Sequence, residues 1–320
     1  MTLNEIKEII ESYVAANKTG VEGPFTPSSD NLANLLDKIA KTITIDGQFA
    51  DKLEIFNGEE LPLGKTIEEW YQDLCVVAEY DGEGEGALAP HYPTYQENSY
   101  SYTLGRKVIQ TTLAYNDYER AFNSPAEYEA IVNMVLKRLY DTYAVFKYNT
   151  KKQLLANTIA KAEEADDAAG VIVKTLAAPT NTDTGEAFIQ QVKSDIEAAS
   201  FVSEGNSLNT GATLGASEGL VLVVKKGTMP ALDVNTMAGA FHLDKLAIPA
   251  EIVVVDDFGD ADDKYYAMLV DSRAIRLHPS YMAVREQMNG KGDFMNFFLH
   301  TENTGFISRN TFLRVYKSAN

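Results

Sequence analysis

One cysteine and four histidines in 320 residues leave little material for redox or metal chemistry. Cys75 has no partner for an intramolecular disulfide, and no cysteine pair has metal-ligand spacing, so packing must hold the fold, as suits a reducing compartment. Its plainest reading is a small buried hydrophobe. His91, His242, His278 and His300 stand in unlike contexts, without the H-x-x-x-H spacing of a helical metal site. No cofactor, metal or catalytic residue is expected. Basic residues are scarce too: 28 against 46 acidic ones give a net charge of -18, with no basic patch longer than two residues, which excludes tight direct binding to nucleic acid or an anionic membrane. No apolar run reaches the roughly 18 residues of a membrane span, and "MTLNEIKEII" lacks the basic-then-apolar order of a signal peptide. A soluble, intracellular product is expected.

The chain does have enough apolar residues, 45%, for one large core or two ordinary ones. Thr2 and Glu5 form a capping-box pattern, with Leu3, Ile6, Ile9, Ile10 and Tyr13 at helical spacing behind them. A Gly/Pro loop and a second short helix, "NLANLLDKIAKTIT", complete an arm over residues 1–45. From 46 to 117 the pattern is strands and long turns, with β-prone runs "KLEIF" and "RKVIQTTLAY" and seven tyrosines between Tyr71 and Tyr115. A two-stranded ribbon of this length has too little apolar area to stand alone. Its tyrosines suit strand packing and protein interface better than a stacking platform for nucleic acid or sugar.

Residues 118–170 carry the strongest local signal. Ser124 is placed as N-cap, Pro125 at the first helical position and Glu127 three residues after the cap. Tyr128, Ile131, Val132, Val135, Leu136, Leu139, Tyr143 and Phe146 line one face, and no glycine or proline intervenes before Gly170. The spacing predicts a helix of about 40 residues, about 60 Å long. Beyond Gly170, "VIVKTL", "GEAFIQQVKSDIEAAS", "LVLVVKK", "ALDVNTMAGAFHL" and "AEIVVVDDF" alternate strand and helix, as in a compact α/β or α+β domain. The last third returns to strands, "KYYAMLVDSRAIRLH" and then "FMNFFLHTENTGFISRNTFLRVYK" around a turn near Asn303 to Gly305.

Three short motifs invite catalytic readings. Gly215 to Gly219, "GASEG", fits G-x-S-x-G with Ser217 as nucleophile, but a nucleophile elbow needs a strand before it and a helix after it, and here a polar loop precedes "LVLVV". The "DFG" at Asp257 stands without the other kinase motifs, and its acidic surroundings depart from EF-hand spacing. "GEGEG" at 82–86 is followed by Pro90 and Pro93 where a phosphate loop needs a helix.

"LPLGKTIEEWYQDL", residues 61–74, resembles a block in the extended loop of major capsid proteins from small short-tailed phages of the phi-twenty-nine kind. The likeness continues through "TGEAFIQQVKSDIEAA", "LDVNTMAGAFHLDKLAIPAEIVVVDDF" and "NFFLHTENTGFISRNTF". The order of arm, ribbon, long helix, compact insertion and closing strands is similar to the tailed-phage capsid fold named for bacteriophage Hong Kong ninety-seven. The resemblance implies an α+β protein with an N-terminal arm at 1–45, an extended β-ribbon loop at 46–117, a peripheral domain with a spine helix at 118–170, an axial α/β domain at 171–283, and returning peripheral strands at 284–320. With the chain ending soon after its last strand, an appended immunoglobulin-like surface domain is not expected.

The function so implied is that of a non-enzymatic shell protein, self-assembling through hexamers and pentamers into an icosahedral head around double-stranded DNA that it does not read. Scaffolding, portal and decoration proteins are the further partners, the virion the location, and the host cytoplasm the place of assembly. In the ribbon, Pro62 and Gly64 would fix the turn. Ile67, Trp70, Tyr71 and Leu74 would supply the apolar intersubunit contact, and Lys65, Glu68 and Glu69 would set register by charge. Some members of this fold crosslink a ribbon lysine to a neighbour's asparagine. Lys65 is the one lysine near the expected place, but its partners find no match, so no crosslink is assigned. The alternatives are an encapsulin-like compartment shell and, from another class, a serine hydrolase using Ser217.

Overall fold

The computed structural model describes residues 51–61, 67–72, 75, 77, 90, 92, 95–100, 103–114, 125–165, 171–202, 205–209, 219–230, 248–259, 261, 263–292 and 294–318. The expected arm, the capping serine Ser124, the "GASEG" serine Ser217, His91, His242 and the helix expected at "ALDVNTMAGAFHL" lie outside these residues.

The spine is one helix, α1, Pro125–Ala165, 41 residues long. Along it Leu139, Tyr143, Leu154, Leu155, Ile159 and Ala162 are all buried, as the apolar spacing requires. The second helix, α2 (Thr182–Ala199), begins three residues before the predicted stretch, because the Asn181 side chain accepts the Thr184 backbone N–H at 2.9 Å and closes a capping box.

Strands are β1 (Ile67–Gln72), β2 (Tyr95–Tyr100), β3 (Thr103–Ala114), β4 (Val173–Thr175), β5 (Leu220–Lys225), β6 (Glu251–Val255), β7 (Tyr265–Asp271), β8 (Ile275–Asn289), β9 (Phe294–Ile307) and β10 (Leu313–Lys317). They form a two-stranded ribbon β1-β2, a mixed five-stranded sheet in the order β4-β10-β7-β5-β6, and an antiparallel three-stranded sheet β3-β9-β8. The five-stranded sheet is sandwiched. Val221, Val223, Met268, Val270 and Val315 share a core with Leu154, Leu155, Ile159 and Ala162 of α1. Leu220, Leu222, Val224, Ala267 and Tyr316 share another with Phe188, Ile189 and Val192 of α2. A strand covered on both faces reads as an unbroken apolar run, which is why "LVLVV" shows no alternation.

Several expectations are corrected. "KLEIF" is a 3-10 turn, Glu54–Phe56, because the Asp51 carboxylate captures the Leu53 N–H at 3.0 Å and tightens the chain, sinking Leu53 and Phe56 into the core. No turn occurs at Asn303 to Gly305. β9 runs straight through, with the Tyr143 hydroxyl donating to the Asn303 Oδ1 at 2.9 Å. Gly305 serves close packing: a Cβ there would stand 3.1 Å from the Leu154 side chain. The cut expected at 283/284 falls inside β8, and the closing strands divide, β9 entering the three-stranded sheet while β10 lies between β4 and β7. Chain order and sheet membership part company because hydrogen-bonded pairing, not sequence proximity, decides the layer.

Candidate intersubunit ribbon and its root

The body that carries the ribbon is tied to α1 by polar contacts. Lys151, fully buried, donates to the Asp51 carboxylate at 2.5 Å and to the Leu53 carbonyl at 3.0 Å, pinning the start of the described chain to the spine. Burial pulls the Lys151 ammonium below its ordinary pKa even with Asp51 beside it. The same segment is stitched to β8: Gly58 N–H donates to the Leu277 carbonyl at 2.9 Å, Leu61 N–H to that of Pro279 at 2.9 Å, and Arg276 to that of Ile55 at 2.7 Å. His278 Nδ1 donates to the Glu59 carbonyl at 2.9 Å.

At the far side, Lys152 pairs with Asp256 and Asp257, both at 3.0 Å, and the Tyr148 hydroxyl donates to Asp256 at 2.6 Å. Burial alone would raise the Asp256 carboxyl, but the bonds from Tyr148 and Lys152 outweigh it and hold the group down at about 2. Asp257 also accepts the Gly259 N–H at 2.7 Å. The "DFG" stretch is thus a structural turn whose acids hold a spine lysine. Glu163 accepts from the Tyr265 hydroxyl and from Lys317 Nζ, and its carboxyl is lowered by that Tyr265 bond first and Lys317 second. Among the described residues no group of three or more His, Cys, Asp or Glu is placed to hold a metal ion.

From this body the ribbon departs. β1 pairs antiparallel with β2 in the register Ile67↔Tyr100, Trp70↔Glu97 and Gln72↔Tyr95. Side chains alternate strictly, so Ile67, Glu69 and Tyr71 share the half-buried face, while Glu68, Trp70 and Gln72 face outward. Of the residues expected to make the apolar contact, Ile67 and Tyr71 therefore lie on one face of β1 and Trp70 on the other. Trp70 is 62% exposed, and Tyr92, Tyr95 and Val77 are exposed as well. Cys75, read as buried, is exposed, because the ribbon offers no core to receive it. Pro62, Gly64, Lys65 and Leu74 lie outside the described residues.

The ribbon's root was not foreseen. The Glu69 carboxylate accepts from the Ser308 hydroxyl and, at 3.2 Å, from the Arg309 N–H, fastening β1 to the turn between β9 and β10 of its own chain. Glu69 thus has a structural employment within the subunit beside any pairing across an interface. A period-two reading of "IEEWYQ" would have placed it with Ile67 and Tyr71, against the body. Neither Lys151 nor Asp51 had a visible signal, since their meeting joins positions 100 residues apart.

A model of the Phi29-like phage major capsid protein family matches residues 4–313. The chain belongs to that family. It is similar to the major capsid protein of Bacillus phage PZA, 23% identical over 298 residues, covering 89% of this chain and 62% of the relative. It is also similar to that of Bacillus phage GA-1, 22% identical over 284 residues, covering 86% of this chain and 57% of the relative. The chain thus spans less than two thirds of the length of these relatives. The capsid structure of Staphylococcus phage Andhra aligns with a TM-score of 0.66 at 13% identity, over 95% of this chain and 90% of that one. The likeness shows the fold: the α+β capsid architecture of the Hong Kong ninety-seven type that the order of elements implies.

Proposed function

We propose that this chain is the shell-forming subunit of a phage head, associating with copies of itself through hexameric and pentameric rings into an icosahedral container for double-stranded DNA. The observation that carries the reading is the ribbon: a two-stranded extension with an exposed Trp70, on a chain of a capsid protein family. Such a ribbon has too little core to be stable unsupported, and a neighbouring copy supplies the missing surface. Heterologous contacts of this sort close into rings when the rotation allows.

The parts take these roles. Residues 1–45 form an arm and 46–117 the extended loop, with Ile67, Trp70, Tyr71 and Leu74 making contacts across the seam, Pro62 and Gly64 setting the chain's direction, and Lys65, Glu68 and Glu69 setting register. The spine at 118–170 belongs to the peripheral domain. The axial domain is built around the five-stranded sheet at 171–283 together with β10, and β8 and β9 complete the peripheral sheet. Net charge of -18 suits an inner wall against which DNA slides without sequence-specific binding. Assembly in the host cytoplasm, use of scaffolding, portal and decoration partners, residence in the virion, and absence of catalysis complete the reading. Electron microscopy of the purified chain, with and without a scaffold, should show rings or shells; a strictly monomeric protein at high concentration would overturn it.

A further inference from the structure

The ribbon poses an electrostatic problem that one part of the body can answer. Between Lys65 and Arg106 the sequence contains no lysine or arginine but eight acids: Glu68, Glu69, Asp73, Glu79, Asp81, Glu83, Glu85 and Glu97. A segment of that charge is repelled by a neighbour whose own net charge is -18, and a local cationic site would offset that cost.

Beside the ribbon's root lies a cavity of about 380 Å³, where the end of α1, the 205–209 loop and the β9–β10 turn meet. Its polar wall is Lys161, Glu164, Ser207, Asn209 and Arg309. The two cations outnumber the one acid, and neither Lys161 nor Arg309 has an ion-pair partner among the described residues. Asn209 Nδ2 donates to the Asn310 Oδ1 at 2.7 Å, which orients the Asn310 amide and leaves its Nδ2 buried without a hydrogen-bond partner among the described residues. The position matters as much as the charge. Glu69 holds β1 on the backbone of Arg309, so the cavity lies beside the point where the ribbon is fastened to its own body.

We propose that this cavity is the receiving site for carboxylates of a second copy's ribbon, with Lys161 and Arg309 as the cations that take them. The inference rests on the shell-forming reading above. Arg309 then has two duties on one residue: its backbone N–H fixes the ribbon of its own chain through Glu69, and its guanidinium receives that of the neighbour. One turn thereby couples the angle of the outgoing ribbon to the seat of the incoming one.

The test uses shells assembled from mixed nitrogen-14 and nitrogen-15 full-length chains, treated with a carbodiimide that joins amines to carboxylates with no spacer. Lys161 should be joined to a ribbon acid in peptides of mixed isotope. The variant Lys161→Ala with Arg309→Ala should keep its unfolding midpoint, since the Arg309 N–H remains, while its assembly threshold rises about fivefold or more, and more steeply at low salt. Lys161→Arg with Arg309→Lys should restore the parent's threshold. Crosslinks only within one isotope, an unchanged threshold, or protection of Lys161 confined to DNA-filled heads, which would make phosphate the ligand, would each overturn the assignment. If the parent chain forms no shells at all, the shell-forming reading fails and takes this inference with it. Shells of normal threshold from the double alanine variant sink the cavity alone.

Discussion

The strands Leu220–Lys225 and Ile67–Gln72 are both six residues long, yet their burial could hardly differ more. In the first, five successive residues are buried because α1 covers one face and α2 the other. In the second, every other residue is exposed, and the largest side chain, Trp70, is among them. At about 25 cal/mol per Å² of apolar surface removed from water, Leu222 or Val223 contributes on the order of 1.5–3 kcal/mol to the fold. Trp70, 62% exposed, leaves most of its area in water in an isolated subunit and contributes far less for its size. One chain therefore holds a strand buried on both faces within the subunit and a strand that leaves its largest side chain exposed.

The sharpest way to break the body is through its buried charge. Asp51→Ala strands the Lys151 ammonium in the core, with only the Leu53 carbonyl left among the bonds described above, and should cost about 3–5 kcal/mol in denaturant unfolding. The pair itself is not a large source of stability, because desolvation already pulls the Lys151 pKa down in spite of Asp51. Asp51→Leu with Lys151→Met should therefore recover most of the loss. If the single variant is as stable as the parent, the first described segment is not pinned to the spine as the geometry requires.

The same contrast explains what could be read from the residues. A 41-residue helix with no glycine and no proline after its first residue and an unbroken "LVLVV" run declare themselves locally, and so did the element order that resembles a capsid protein. In the ribbon block Glu69 is expected to set register with Lys65 and Glu68, whereas its strand turns it to Ser308 and Arg309 of its own chain. Asn303 to Gly305 looked like a turn because asparagine and glycine favour turns. There the glycine admits Leu154 and the asparagine receives Tyr143, and both reasons lie on a helix about 150 residues upstream. Nonlocal partners of this kind leave no mark on composition or period.

A smaller effect probes the polar rim of the body. Asp256 has a carboxyl at about 2 when folded against an ordinary 3.8, so the folded chain binds that proton less readily than the unfolded one. Its stabilisation is complete above about pH 4 and is lost as pH falls through about 2. With the side chain 45% exposed, solvent reduces the gain to under about 1 kcal/mol. Urea midpoints of the parent and Asp256→Asn should differ at pH 6 and converge toward pH 2. A constant gap across that range would mean that the Tyr148 and Lys152 contacts do not depend on the carboxylate charge.

The smallest expected change in subunit stability is the one that sharpens the comparison most. Trp70→Ala removes a side chain that is 62% exposed and points away from the body, so thermal unfolding of isolated subunits should move by no more than about 0.5 kcal/mol. If the outward face of β1 docks on a second copy, the same substitution removes an aromatic anchor of the kind that carries about 2 kcal/mol or more at an interface. A loss of that size is a factor of about 30 in each contact's equilibrium constant, and a closed shell repeats it at every seam, so yield against concentration should shift far more than the unfolding midpoint does. Val223→Ala supplies the opposite profile: unfolding should weaken by about 1–3 kcal/mol while the folded fraction assembles at the parent's threshold. Should Trp70→Ala instead lower the unfolding midpoint as Val223→Ala does and leave the threshold alone, the ribbon would be ordinary core, and the distinction between a self-sufficient body and a ribbon that waits for its neighbour would be lost.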